Sequence, residues 1–288
     1  MNRFIKVNLE MNERKLSVDT DFKTRAKVCF TDLAARVKAF FADKKKKKSF
    51  IILSSVAAVL LVTVIGCGIY VGDYYRADRE RIDEYMGQYD IVEIYGLGPG
   101  VTVFEPVAGG KVGFIFYPGG KVEAYSYAPL MHALAERGIT AVLCEMPFNL
   151  AVLDVNAADG IATALSEVEE WYIGGHSLGG SMAASYLASH KDELSGIILL
   201  GSYSTVDITD CPTLSIYGSE DGVMNREKYE QYKSNLPTDL SERVIAGGNH
   251  AYFGMYGEQD GDGTATVSPA EQIETAADMI CEFVDRKG

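Results

Sequence analysis

Gly174-Gly175-His176-Ser177-Leu178-Gly179-Gly180 restricts this chain more than any other stretch. The apolar run Trp171-Tyr172-Ile173 enters it, and a small-residue run from Ser181 to Leu187 leaves it. The spacing Gly175-x-Ser177-x-Gly179 therefore falls between an expected strand and an expected helix. A strand that becomes a helix within one residue forces that residue into a strained backbone conformation. Glycines two positions before and after remove the Cβ atoms that would collide as the turn closes. The Ser177 hydroxyl is then lifted clear of a sheet, and the Leu178 amide points into the same space from a helix N-terminus.

From residue 72 onward the pattern supplies such a sheet. Ile91–Tyr95 and Val101–Glu105 flank a glycine-rich turn and predict an antiparallel hairpin. Lys111–Tyr117, Ile139–Cys144, the Trp171 run, Gly196–Leu200, Thr213–Tyr217 and Arg243–Ala246 read as strands. Helices are expected over 127–137, 157–170, from the elbow to His190, and over 225–235. Ser268-Pro269-Ala270-Glu271 starts a closing helix with a capping serine, a first-turn proline and a glutamate that reaches back. Short, non-alternating strands between helices predict a mostly parallel sheet covered on both faces.

The front of the chain differs in kind. Residues 50–71 carry no charge and are rich in Ile, Leu, Val and Ala, which is long enough for a helix to cross a bilayer. Lys44–Lys48 precede this run, and Asp73, Arg76 and Asp78 follow it. Of the formal charge of −13, residues 1–49 carry +8 and the remainder −21. Lysines on the near side predict a cytoplasmic N-terminus and an extracytoplasmic body in a single-pass cell-membrane protein. Tyr70, Tyr74 and Tyr75 would form the outer aromatic belt. Val64-Ile65-Gly66-Cys67 resembles a bacterial lipobox, but the apolar run continues past Cys67 and the preceding segment is long for a signal peptide, so an uncleaved anchor is preferred. The expected division is a basic tail (1–49), a membrane helix (50–71) and a catalytic domain (72–288). The tail reads as poorly ordered, with an amphipathic helix over 22–41 as the alternative.

A nucleophilic serine needs a base, and the base an orienting acid. Four histidines make the search short. His132 and His190 fall on predicted helices, and His176 is adjacent to Ser177 on the elbow, where consecutive side chains point apart. His250, in Gly247-Gly248-Asn249-His250 past the last strand, remains. Asp221 and Glu220 both follow the Thr213–Tyr217 strand. Asp221 is preferred because Gly222 suits a turn that aims its carboxylate inward. The chain order Ser177, Asp221, His250 is that of an α/β-hydrolase fold. The second oxyanion donor is expected after the third strand, at Gly120 or Lys121. Met146–Leu150 follows the fourth strand at the same edge. Phe148 and Leu150 there are candidates for the acyl pocket and Asn149 for orienting substrate, with plain core packing as the alternative for Phe148. Residues 257–263 have a faint calcium-loop look but read as a flexible acidic turn. Cys144, Cys211 and Cys281 read as buried small hydrophobes, with no disulfide framework and no metal spacing.

Tyr117–Val122, Met146–Ala151, Gly174–Gly180, Ile216–Gly222 and Gly247–Ala251 together resemble blocks of the α/β-hydrolase superfamily, closest to a small, lidless bacterial group. The resemblance spans roughly residues 72–288. It implies an acyl hydrolase using Ser177 as nucleophile, His250 as base, Asp221 as orienter, and Leu178 with Gly120 or Lys121 as oxyanion donors, with no metal or organic cofactor. The short segment after Gly201-Ser202-Tyr203, where larger lipases insert a lid, implies an open pocket and short to medium acyl substrates. Dienelactone-type lactone or carbon–carbon hydrolysis ranks second, since such relatives often use cysteine where this chain has Ser177. A non-catalytic surface module of the same fold is the rival from outside enzymes. The expected partners are a small acyl substrate and, through the anchor, membrane lipid. Nucleic acid is not expected, and oligomeric state is left open.

Overall fold

A computed structural model describes residues 27–87 and 91–286. The chain divides into two compact units, with the boundary between Ile69 and Tyr70. In the first unit, residues 27–42 form a helix (α1) whose Val28, Phe30, Leu33, Val37 and Phe40 are exposed. This helix overlaps the stretch 22–41 named as the alternative for the tail; residues 1–26, with the start of that stretch, lie outside the described residues. Asp43 then caps the next helix, its Oδ1 accepting the Lys45 and Lys46 amides at 2.9 and 3.3 Å. This helix, α2 (Lys44–Gly72), has no buried residue and is long and apolar enough to cross a membrane. Its 22 uncharged residues rise about 33 Å, the thickness of a hydrocarbon core.

The second unit opens with α3 (Arg79–Met86) and builds one eight-stranded sheet. The strands are β1 (Val92–Gly98), β2 (Val101–Pro106), β3 (Val112–Tyr117), β4 (Ile139–Cys144), β5 (Glu170–His176), β6 (Gly196–Leu200), β7 (Thr213–Gly218) and β8 (Ser241–Ile245). Their spatial order is β1-β2-β4-β3-β5-β6-β7-β8. The β1–β2 and β2–β4 pairings are antiparallel and all others parallel. The hairpin and the parallel remainder are as the sequence predicts, and the fold is that of an α/β-hydrolase.

Alternation along the central strands feeds two cores. Phe114, Phe116, Ala141, Leu143, Tyr172, Ile198 and Leu200 face the layer of α4 (Ala128–Glu136) and α8 (Pro269–Asp285). Ile115, Val142, Cys144, Trp171, Ile173, Ile197 and Leu199 face α6 (Leu178–Ser189). Both faces are covered, which is why these strands read as apolar throughout. α8 begins with the capping box of Ser268 and Glu271 that its sequence announces. The helix expected over 157–170 does not form: only α5 (Ile161–Ala164) is helical, because Gly160 takes φ +78° and Glu169 and Glu170 turn to pair with Lys111. α7 (Arg226–Tyr232) lies between β7 and β8. Residues 201–212 contain no helix, so no lid segment is inserted there.

Candidate active site

The elbow follows from backbone crowding. Ser177 joins β5 to α6 with φ +52° and ψ −121°, a conformation that residues with a Cβ rarely adopt. Its amide donates to the Leu200 carbonyl at 2.9 Å, and its own carbonyl accepts the Ser202 hydroxyl at 2.7 Å. A Cβ at Gly175 would stand 2.4 Å from the Tyr117 carbonyl oxygen, and one at Gly179 would stand 2.1 Å from it. No side chain fits at either position.

His250 sits past β8, 1% exposed, with Nδ1 2.9 Å from Asp221 Oδ2. The other oxygen of Asp221 accepts the Val223 and Met224 amides at 3.0 and 2.8 Å. Those bonds aim the carboxylate at the imidazole, while Glu220 is exposed and takes the Ser219 hydroxyl. His250 Nε2 has no hydrogen-bond partner among the described residues. Gly201, at φ +52°, lies directly against this pair: a Cβ there would approach His250 Nδ1 to 2.9 Å and Asp221 Oδ2 to 3.1 Å. Gly201 follows Leu200, whose carbonyl accepts the Ser177 amide, so the His–Asp pair packs against the residue next to the serine's backbone partner.

His176, set aside in the sequence as a base, lies against the His250 imidazole. It is buried, and its ring centroid lies 4.3 Å from that of His250. The Tyr127 hydroxyl lies 2.8 Å from His176 Nδ1 and accepts the Gly119 amide at 3.2 Å. Burial, and next the adjacent His250, hold the His176 pKa well below its ordinary value. A neutral His176 adds no charge beside an imidazolium formed at His250. His190 is spent on the Tyr186 carbonyl at 2.9 Å, and His132 is buried in α4.

Across the rim, Gly119–Lys121 leave β3. The Lys121 amide donates to the Asn149 carbonyl at 2.8 Å and the Gly119 amide to Tyr127. Of the loop's three amides only that of Gly120 has no acceptor among the described residues. Gly120 also lies against Leu178, where a Cβ would come within 3.0 Å of that side chain. Among the described residues, Lys121, Phe148 and Asn149 join Ser177 as the non-glycine residues of positive φ, at +60°, +54° and +56°. Phe148 is 64% exposed and is not core. Asn149 is half-buried, with its carbonyl tying the β4 loop to the Gly120 loop.

Asp262 escapes sequence reading altogether. It falls in the stretch expected to be a flexible acidic turn, yet its carboxylate accepts four amides. Oδ1 takes those of Gly222, His250 and Gly263 at 3.1, 3.1 and 2.8 Å, and Oδ2 takes that of Ala251 at 2.8 Å. It thereby fastens the loop bearing Asp221 to the loop bearing His250. Nothing in the spacing around residue 262 signals this. Among the described residues no group of three or more His, Cys, Asp or Glu is placed to hold a metal ion.

A model described as the alpha/beta hydrolase family matches residues 113–274, more than half of the chain. No curated protein matches significantly. Among solved structures, Est1E from Butyrivibrio proteoclasticus with ferulic acid bound is 13% identical with a TM-score of 0.51, over 69% of this chain and 98% of that one. A membrane phospholipase A, described as a novel bacterial virulence factor, is 13% identical with a TM-score of 0.51, over 85% and 99%. A dienelactone hydrolase from Anabaena variabilis is 16% identical with a TM-score of 0.49, over 67% and 98%. At such identities these likenesses concern the fold.

Proposed function

The chain belongs to the alpha/beta hydrolase family, and from that premise we propose that it is a membrane-anchored serine hydrolase of ester or related acyl bonds. The observation that carries the reading is the 2.9 Å bond from His250 Nδ1 to Asp221 Oδ2 at the rim of a strained serine elbow. In this mechanism Ser177 Oγ attacks the acyl carbonyl while His250 Nε2 takes its proton. Asp221 holds the proton on Nδ1 and stabilises the imidazolium. The Leu178 and Gly120 amides receive the oxyanion, one such donor being worth roughly 3 kcal/mol. The carbon–oxygen bond of the ester then breaks, the departing alcohol takes the proton from His250, and water hydrolyses the acyl-enzyme by the same steps in reverse order. Gly120 is preferred to Lys121 because the Lys121 amide is already engaged.

α2 is the anchor in this reading. Lys44–Lys48 keep the N-terminus cytoplasmic and the catalytic unit lies outside. The open rim, without a lid in residues 201–212, favours short to medium acyl groups. A fluorophosphonate probe and p-nitrophenyl esters of graded chain length test the chemistry. Wild type is expected to label at Ser177 and to turn over short esters fastest, with Ser177→Ala losing both. Unlabelled Ser177 in folded protein would sink the enzymatic reading, and a non-catalytic module of this fold would take its place.

A further inference from the structure

The loop after β4 exposes three large apolar side chains in two consecutive turns: Phe148 at 64%, Val152 at 54% and Leu153 at 56%. Phe148 stands outward on a backbone of positive φ, a conformation bulky residues seldom take. The loop is fixed beside the oxyanion loop, because the Asn149 carbonyl accepts the Lys121 amide.

The same oxyanion loop is bound to the exit of the apolar helix. Tyr75 donates its amide to the Lys121 carbonyl at 2.8 Å and accepts the Glu123 amide at 2.9 Å, forming a one-residue parallel bridge to Val122. The Lys121 ammonium pairs with Asp73 at 2.9 Å and lies 4.8 Å from the centre of the Tyr70 ring. Three chain steps separate Gly72, where α2 ends, from Tyr75, a reach of at most about 11 Å. Arg76 covers the Tyr74 ring at 4.5 Å, so aromatic and cationic groups line this exit as they do at a membrane–water interface. The rim of the site is thereby linked by one short stretch of chain to the end of the apolar helix.

We propose that Phe148, Val152 and Leu153 form a docking surface for the outer face of the bilayer that α2 spans, and that Ser177 draws on amphiphilic esters resident in that leaflet that carry a short or medium acyl group. The occupant argued for is the lipid surface and not a second copy of the chain, because Tyr75, three residues after the apolar helix, is hydrogen-bonded to Lys121, whose amide in turn is bound to the loop that carries the apolar side chains. Apolar side chains of this size at the headgroup boundary gain by leaving water. The proposal rests on the anchored-hydrolase reading above.

The test uses the full chain in phosphatidylcholine liposomes. Trp171, the one native tryptophan, is 5% exposed, so Phe148→Trp adds a distinguishable emission. Expected is a blue-shifted added emission quenched by brominated phosphatidylcholine and shielded from iodide, with Trp171 unaffected. Added emission insensitive to the bromolipid overturns the proposal, whether the tryptophan is quenched by iodide (water) or is shielded in a cross-linkable dimer (a second copy). A second arm compares a bilayer-resident acyl ester with water-soluble p-nitrophenyl acetate. Val152→Ser/Leu153→Ser is expected to lower turnover of the former roughly tenfold and leave the latter within about twofold. An equal effect on both esters, or none on either, also overturns it. The failures are separable: turnover of neither ester by wild type defeats the hydrolase reading while the quenching still reports docking, and release of the chain by carbonate defeats the anchor.

Discussion

Asp262→Ala takes the acceptor away from four backbone amides at once. A hydrogen bond to a charged group contributes about 1.5–3 kcal/mol net. Gly222 is exposed and Gly263 half-buried, so water replaces much of what those two amides lose. His250 and Ala251 are buried, at 1% and 0%, and their amides have no such substitute. Counting those two at the low end gives a destabilisation of about 3 kcal/mol, or a fall in Tm of roughly 10 °C for a unit of this size. Asp262→Asn keeps an oxygen for three amides but sets an NH2 group against the Ala251 amide, which costs about half as much. Catalysis is the sharper readout. With the staple gone, the His250 backbone shifts relative to Asp221, and a displacement of about 1 Å lowers kcat on the order of 100-fold with little change in KM. Both variants are assayed on a short p-nitrophenyl ester well below their melting temperatures, with circular dichroism confirming the fold. An Asp262→Ala protein that melts early but keeps kcat within twofold of wild type refutes the argument, because the carboxylate would then stiffen the loop without positioning the base.

Other outcomes follow from the same geometry. Gly201→Ala combines a positive φ, costing about 1–2 kcal/mol, with a methyl 2.9 Å from His250 Nδ1; kcat is expected to drop far more than stability, as paired kinetics and thermal melts would report. Tyr127→Phe orphans both the Gly119 amide and His176 Nδ1, so a loss of about 1–3 kcal/mol and a lower kcat are expected; an unchanged denaturant midpoint speaks against the network. His176 is held neutral by burial, so the unfolded chain takes up a proton as pH falls below about 6.5 while the folded chain does not. Stability contributed by this site is intact above that pH and is lost on acidification toward the depressed folded value, at on the order of 1 kcal/mol per pH unit. His176→Gln is expected to flatten that part of the Tm–pH profile, and an unaltered slope contradicts a neutral buried imidazole.

Features set by short windows of sequence were legible from the start. The elbow is one, because crowding by Tyr117 admits only glycine at 175 and 179 around the strained serine. The 22-residue uncharged run is another, since one apolar window is enough to show a helix long enough to cross a bilayer. The capping box of α8 and the order Ser177, Asp221, His250 are likewise readable along the chain. Other matters were settled only by contacts between segments remote in sequence. Glu220 and Asp221 are neighbours of like chemistry, separated only by which carboxylate the Val223 and Met224 amides turn toward His250. Gly120 and Lys121 are distinguished by a carbonyl at Asn149, and His176 is drawn beside His250 by a buried Tyr127. Asp262 owes its part to amides on two loops it meets only after folding. Steric fit and apolar length act on consecutive residues, so a sequence carries them openly. A hydrogen bond depends on where two groups end up, and the packed sheet alone decides that.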